Sequence, residues 1–177
     1  MNRRTATSTC NILIAACAVF VFSKSNPVMA DPRIGQPAPA LVATELDSQQ
    51  FDLSTERGHV VIVSFWATWC GPCRQEMPEL DAFYHLHHAD GVDMIALSLD
   101  SPHDTGDVRK TMQPFTYPAG LLRDCKTNGF GQPRQLPVTY VIGPDGTIQA
   151  EFRGGKPAVT NQALEAIVRK FLAVGKA

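Results

Sequence analysis

Long apolar runs are missing from this chain. Ile12 to Phe22 covers eleven residues, well short of the roughly 20 that a membrane-spanning helix requires. A surplus of either charge is missing too. Sixteen Lys and Arg stand against 17 Asp and Glu, a formal net charge of −1, which argues against a nucleic-acid or anionic-membrane surface. No internal repeat and no low-complexity tract occurs, so the 177 residues read as one domain plus a short extra segment. Cysteine is sparse, five in all, and no second C-x-x-C or spaced histidine pair accompanies Cys70 and Cys73. A zinc site normally draws on such a second pair. Only Cys125 and scattered histidines are on offer here.

The extra segment is N-terminal. Met1-Asn2-Arg3-Arg4 is basic, Ile12 to Phe22 is apolar, and Val28-Met29-Ala30 puts small or aliphatic residues where a signal peptidase reads. Those three parts make a secretory signal peptide over 1–30, cleaved after Ala30, and place the mature protein in the periplasm or otherwise outside the cytoplasm. Ile14-Ala15-Ala16-Cys17 offers a rival reading as a lipoprotein box, but the apolar stretch runs on past Cys17, where a lipoprotein signal is already spent. Cys10 and Cys17 are then filler in a discarded peptide. Removing it takes away Arg3, Arg4, Lys24 and no acid, so the mature chain is mildly acidic. Its cysteines are Cys70, Cys73 and Cys125, an odd number, so one is free or transiently bonded.

Residues 31–39 hold three prolines and a glycine and read as an extended arm, with the folded domain over 40–177. A hairpin is expected around Asp47-Ser48, and Ser54 can cap a short turn ending at Gly58. Val60 to Trp66, rich in β-branched residues, has the character of a strand covered on both faces. Glu79 to Ala89 reads as helix, with Leu80, Phe83 and Leu86 at helical spacing. Met94 to Leu99 is a second buried strand, and Asp104 to Met112 a short helix. Pro137 to Ile142 is a strand turned by Gly143-Pro144-Asp145-Gly146 into Thr147 to Phe152. Thr160 to Val174 is an amphipathic helix through Leu164, Ile167, Val168, Phe171 and Leu172. Together these describe an α/β fold, a mixed sheet covered on both faces.

The cysteine pair follows a buried strand, and Pro72 suits the first turn of a helix. A helix N-terminus offers unpaired N–H groups and a partial positive charge, which lower a thiol's pKa from about 8.5 toward 7 or below in C-x-x-C sites. Cys70 is then an attacking thiolate exposed at the helix tip, and Cys73 the resolving thiol one turn inside. A purely structural disulfide gains little from closing so small a loop.

Trp69-Cys70-Gly71-Pro72-Cys73 is similar to the thioredoxin active-site sequence, with Pro78 where thioredoxins kink their first long helix. The longer run F-W-A-T-W-C-G-P-C-R-Q-E-M-P, Phe65 to Pro78, resembles the TlpA/ResA-like branch of that superfamily. So do Leu136 to Ile142 followed by Asp145-Gly146, and Gly35-Gln36-Pro37-Ala38-Pro39. The resemblance covers most of Ile34 to Leu172. It implies a thioredoxin-like fold with helices on both faces of the sheet, an N-terminal hairpin and an inserted strand–helix element around Val92 to Met112. It implies a cis Leu136–Pro137 peptide facing the cysteines; the residues alone equally allow an ordinary proline opening a strand. Glu76 is implied to lie under the site with a raised pKa, moving protons as Cys73 ionises; alone it reads as a first-turn carboxylate. Trp69, Gly71, Pro72 and Leu136 would face substrate.

The implied activity is that of an exported protein-disulfide oxidoreductase, monomeric and without cofactor or metal. Gly-Pro between the cysteines resembles reducing members, which need a membrane-embedded electron donor in an oxidising compartment. Protein disulfides are the substrates, and apocytochrome c is the branch's commonest one. Two alternatives stay open, a Cu(I) carrier using the same thiols and a thiol peroxidase, although Ala67 stands where peroxiredoxins have threonine or serine. Asp47-Ser48-Gln49 lacks the glycine usual in the first hairpin. Asn128 to Arg134 suggests a loop beside the site. Cys125 reads as buried and inert, and His85-Leu86-His87-His88 as the solvated end of a helix rather than a metal site.

Overall fold

The computed structural model describes residues 32–172. The signal-peptide and lipoprotein expectations lie outside them, as does the end of the last expected helix. Val60–Trp66 (β3) is the central strand, buried along its whole length. Its β-branched side chains suit a strand with neighbours on both sides and both faces. Val92–Ser98 (β4) pairs with it in parallel and Val138–Ile142 (β7) antiparallel. Ala119–Leu121 (β5) and Ile148–Arg153 (β8) complete a mixed five-stranded sheet in the order β5-β4-β3-β7-β8. A second, antiparallel sheet is built from Leu41–Thr44 (β1), Gln50–Asp52 (β2) and Thr127–Asn128 (β6), in the order β2-β1-β6.

The side chains of β3 alternate between two cores. Val60, Ile62 and Trp66 point to one face, where they meet helices Gly71–His87 (α1), Thr105–Met112 (α2) and Asn161–Leu172 (α3) through Met77, Leu80, Phe83, Val108, Met112, Leu164 and Val168. Val61, Val63 and Phe65 point to the other, against Leu41, Ala43, Phe51 and Leu53 of the small sheet and its flank. The α/β class and the mixed sheet are as expected. The cover of the second face differs: the small sheet lies there, and all three α-helices share the first.

The β1–β2 hairpin forms without glycine because Ser48 takes a left-handed φ of 77° and Asp47 Oδ1 accepts the Gln49 N–H at 3.1 Å. Ser54 does not cap the next turn. Asp52 does, its Oδ1 accepting both the Ser54 N–H and hydroxyl. The arm before β1 is docked: Gly35 N–H donates to Ile148 O at 2.8 Å and Ala38 N–H to Gly146 O at 2.9 Å. Helix α1 starts at Gly71 and runs through Pro78. Its buried stripe is Cys73, Glu76, Met77, Leu80, Phe83, Tyr84 and His87, a 3.6-residue progression that leaves Leu86 outside, 59% exposed. The expected inward position of Leu86 is thus corrected, and so is the solvated reading of His87. That residue packs on the Phe83 ring and pairs with Glu165 of α3.

Candidate active site

Where β3 ends, Leu99 N–H donates to Trp66 O at 2.8 Å and Cys70 N–H to Ala67 O at 3.0 Å, so the chain folds tightly into α1. Cys70 is the N-cap residue, with φ −85° and ψ 101°, and Pro72 sits in the first turn. Proline loses nothing there, because the N–H it lacks has no helical partner. Cys70 and Cys73 are joined, S–S 2.01 Å with Cα atoms 5.3 Å apart, and the Cys73 N–H points at Cys70 Sγ at 3.2 Å. On reduction that N–H and the helix dipole face the Cys70 sulfur, the arrangement that stabilises a thiolate. Cys70 is only 5% exposed and Cys73 2%, which corrects the expectation of an exposed Cys70. What is exposed is its neighbour Trp69, at 69%.

Access to Cys70 runs through a groove of about 460 Å³ walled by Trp69, Pro72, Leu99, Pro133, Arg134 and Leu136, with Gly71 also on its lining. The peptide Leu136–Pro137 is cis, and Pro137 O accepts the Gly154 N–H at 2.8 Å. The loop wall is anchored from behind. Asn128 Nδ2 donates to Gly131 O at 2.9 Å, Asn128 Oδ1 accepts the Phe130 N–H, and the Phe130 ring lies 5.8 Å from Phe65 and 5.1 Å from Tyr140. The loop expected beside the site is therefore in place.

Two acids are buried around the cysteine turn. Glu76 is 4% exposed, and its Oε1 accepts the Val159 N–H at 3.0 Å. Burial pushes its pKa above the ordinary carboxylate value, against the pull of that hydrogen bond. Gly155 lies over it in a left-handed conformation, φ 69°, with space for a Cβ only in contact with Pro72 and Glu76. Asp100 is the second acid, 5% exposed. Its Oδ2 accepts the Thr68 N–H at 2.8 Å and the Ser98 hydroxyl at 2.5 Å, and its Oδ1 accepts the Thr68 hydroxyl at 2.6 Å. Sequence reading missed this brace and the Val159 contact. The available signal was the polar pair Ser98 and Asp100 at the carboxyl end of a buried parallel strand, where α/β folds place their sites.

Cys125 stands apart. It packs against the core on the opposite face of the sheet from Cys70 and Cys73, and burial, then Asp124, pushes its thiol up to about 11. The four-residue histidine segment is dispersed: His87 faces α3, while His88 faces Asp93. Among the described residues no helix is long and apolar enough to cross a membrane.

Residues 34–151 match the AhpC/TSA family. The thiol-disulfide oxidoreductase ResA of Bacillus cereus is 28% identical over 162 residues, covering 90% of this chain and 92% of that one. ResA of Oceanobacillus iheyensis is 30% identical over 158 residues, covering 87% and 81%. Among solved structures, a thiol:disulfide interchange protein of the thioredoxin family from Chlorobium tepidum is similar with a TM-score of 0.63 and 25% identity, over 81% of this chain and 99% of that one.

Proposed function

Because this chain belongs to the AhpC/TSA family and is a ResA-like thiol–disulfide oxidoreductase of the thioredoxin superfamily, we propose that it is an exported reductant of protein disulfides, acting through Cys70. The observation that carries this reading is the closed Cys70–Cys73 pair at the start of α1, with the Cys73 N–H on Cys70 Sγ and buried Glu76 one turn further in.

In the reduced protein the Cys70 thiolate attacks one sulfur of a substrate disulfide. That S–S bond breaks, the first substrate sulfur leaves as a thiolate, and a Cys70 mixed disulfide forms. Cys73 then gives up its proton, with Glu76 as the acceptor, and attacks the Cys70 sulfur. The second substrate sulfur leaves, and two electrons have passed to the substrate. Burial raises the affinity of Glu76 for that proton, the property a proton acceptor beside an ionising thiol needs. The substrate segment docks in the groove lined by Trp69, Gly71, Pro72 and Leu136, and the buried cis Pro137 shapes the backbone beside it.

Gly71-Pro72 between the cysteines favours the reducing direction, where potentials lie near −270 mV rather than the −120 mV or so of strong oxidants. In this reading a membrane-embedded donor recharges the oxidised pair outside the cytoplasm, and apocytochrome c is the substrate we propose. The signal segment 1–30 directs export, 31–39 is the arm, and 40–177 acts as a monomeric domain. The copper and peroxidase alternatives gain no support: the Thr68 hydroxyl, nearest in sequence to a peroxidase's threonine, is engaged by Asp100.

The test is trapping. Cys73→Ser should accumulate dithiothreitol-sensitive adducts on Cys70, with cytochrome c precursors among them when expressed in a haem-maturing host. An absence of any adduct would sink the mechanism; adducts without cytochrome precursors would sink the pathway alone.

A further inference from the structure

The end of the central sheet remote from the cysteines carries a cluster that the redox chemistry does not use. His59 immediately precedes β3, and Asp93 is the second residue of β4, in register with Val61. Glu56 comes from the turn before. His59 Nδ1 lies 2.5 Å from Asp93 Oδ2 and 4.0 Å from Glu56 Oε2, and the donor atoms of the three residues all fall within 4.8 Å of one another. On the other side of Asp93, His88 brings its Nδ1 to 3.7 Å from Oδ1. Two strand starts and the end of α1 thus converge on one carboxylate.

The surroundings favour a cation. A groove of about 580 Å³ beside the cluster has Glu45, Asp47, Glu56 and Asp93 on its wall. Among the described residues no lysine or arginine pairs with Glu45, Glu56 or Asp93. The His59 side chain is 52% exposed, open to an aquated ion.

We propose that Glu56, His59 and Asp93 form a zinc-type divalent-metal site, one imidazole nitrogen and two carboxylate oxygens. Zinc bound at about 2.0–2.2 Å in tetrahedral geometry needs donors roughly 3.3 Å apart. The observed 2.5 and 4.0 Å straddle that spacing, and side-chain rotation on an exposed turn closes the difference. The metal takes the place of the proton bridging His59 and Asp93, and water fills the fourth position. A nitrogen among the donors selects zinc over magnesium. Bound there, it ties the turn before β3 to β4.

The full-length protein in its disulfide form, which withholds both active-site thiols, is titrated with zinc chloride by calorimetry and then melted with and without zinc. One equivalent binds, the melting temperature rises, and magnesium at the same concentration does neither. Asp93→Asn and His59→Ala each weaken zinc at least tenfold. Glu56→Gln, in an exposed turn, does the same and keeps the test valid if Asp93→Asn fails to fold. No zinc uptake, equal response to magnesium, or unchanged affinity in Glu56→Gln overturns the site. Disulfide exchange is not part of the readout, so the outcome is independent of the redox reading.

Discussion

Two carboxylates are buried near the cysteine turn, and they are held in opposite ways. Asp100 is saturated: both oxygens accept from Thr68, and Oδ2 also accepts from Ser98. Glu76 has one donor, the Val159 N–H, and burial raises its pKa. A carboxylate with both oxygens engaged by donors holds the turn in shape. A carboxylate buried with one donor keeps an oxygen on which a proton can come and go. The two acids are equally buried, and hydrogen-bond count rather than exposure separates them: Asp100 is the brace, and Glu76 is the one proposed to carry the proton.

Four measurements test this division. The largest effect is expected from Asp100→Ala, which strands the Thr68 N–H and two hydroxyls and should cost about 3 kcal/mol in denaturant unfolding. A loss under ~1 kcal/mol would deny Asp100 the bracing role. Next, Glu76→Gln should slow disulfide exchange about 100-fold, close to 2.7 kcal/mol in barrier, while leaving stability nearly unchanged. If it destabilises as Asp100→Ala does and leaves exchange intact, the two acids have been assigned the wrong way round. Third, Thr68→Val removes one hydroxyl donor to a charged acceptor and should cost about 1.5 kcal/mol, with exchange rates at low temperature retained.

The smallest effect is a slope. Glu76 binds its proton more tightly folded than unfolded, because burial raises its pKa. Stability therefore falls as pH rises from the ordinary carboxylate value through the raised one. Glu45 contributes a slope of the same sign, so the comparison is between wild type and Glu76→Gln, whose unfolding free energy should decline less as pH rises above the ordinary carboxylate value. Parallel curves would place Glu76 among unperturbed surface acids.

The parts of this molecule that were legible from sequence are those with local causes. The β-branched run of β3, the Gly-Pro turn before β8 and the apolar stripe of α3 each carry their structure within a few residues. The cysteine motif placed its own helix start. What was missed depends on partners far along the chain. Glu76 and Val159 are separated by 83 positions, and Thr68 and Asp100 by 32. His87 is buried because Glu165 meets it, which no window around His85 to His88 contains. Strands of two or three residues, such as β5 and β6, are too short to show a period. Leu86 reads as inward because it continues the three-residue steps of Leu80 and Phe83, whereas the buried stripe advances by about 3.6 and passes from Phe83 and Tyr84 to His87.

Cys125 completes the account of sulfur. A free thiol beside a redox-active pair invites scrambled bridges, and here two features oppose that. With its pKa pushed up to about 11, on the order of one molecule in ten thousand carries the reactive anion at neutral pH. The sheet itself stands between it and the other two sulfurs. Cys125 is therefore a poor partner for exchange with the Cys70–Cys73 pair.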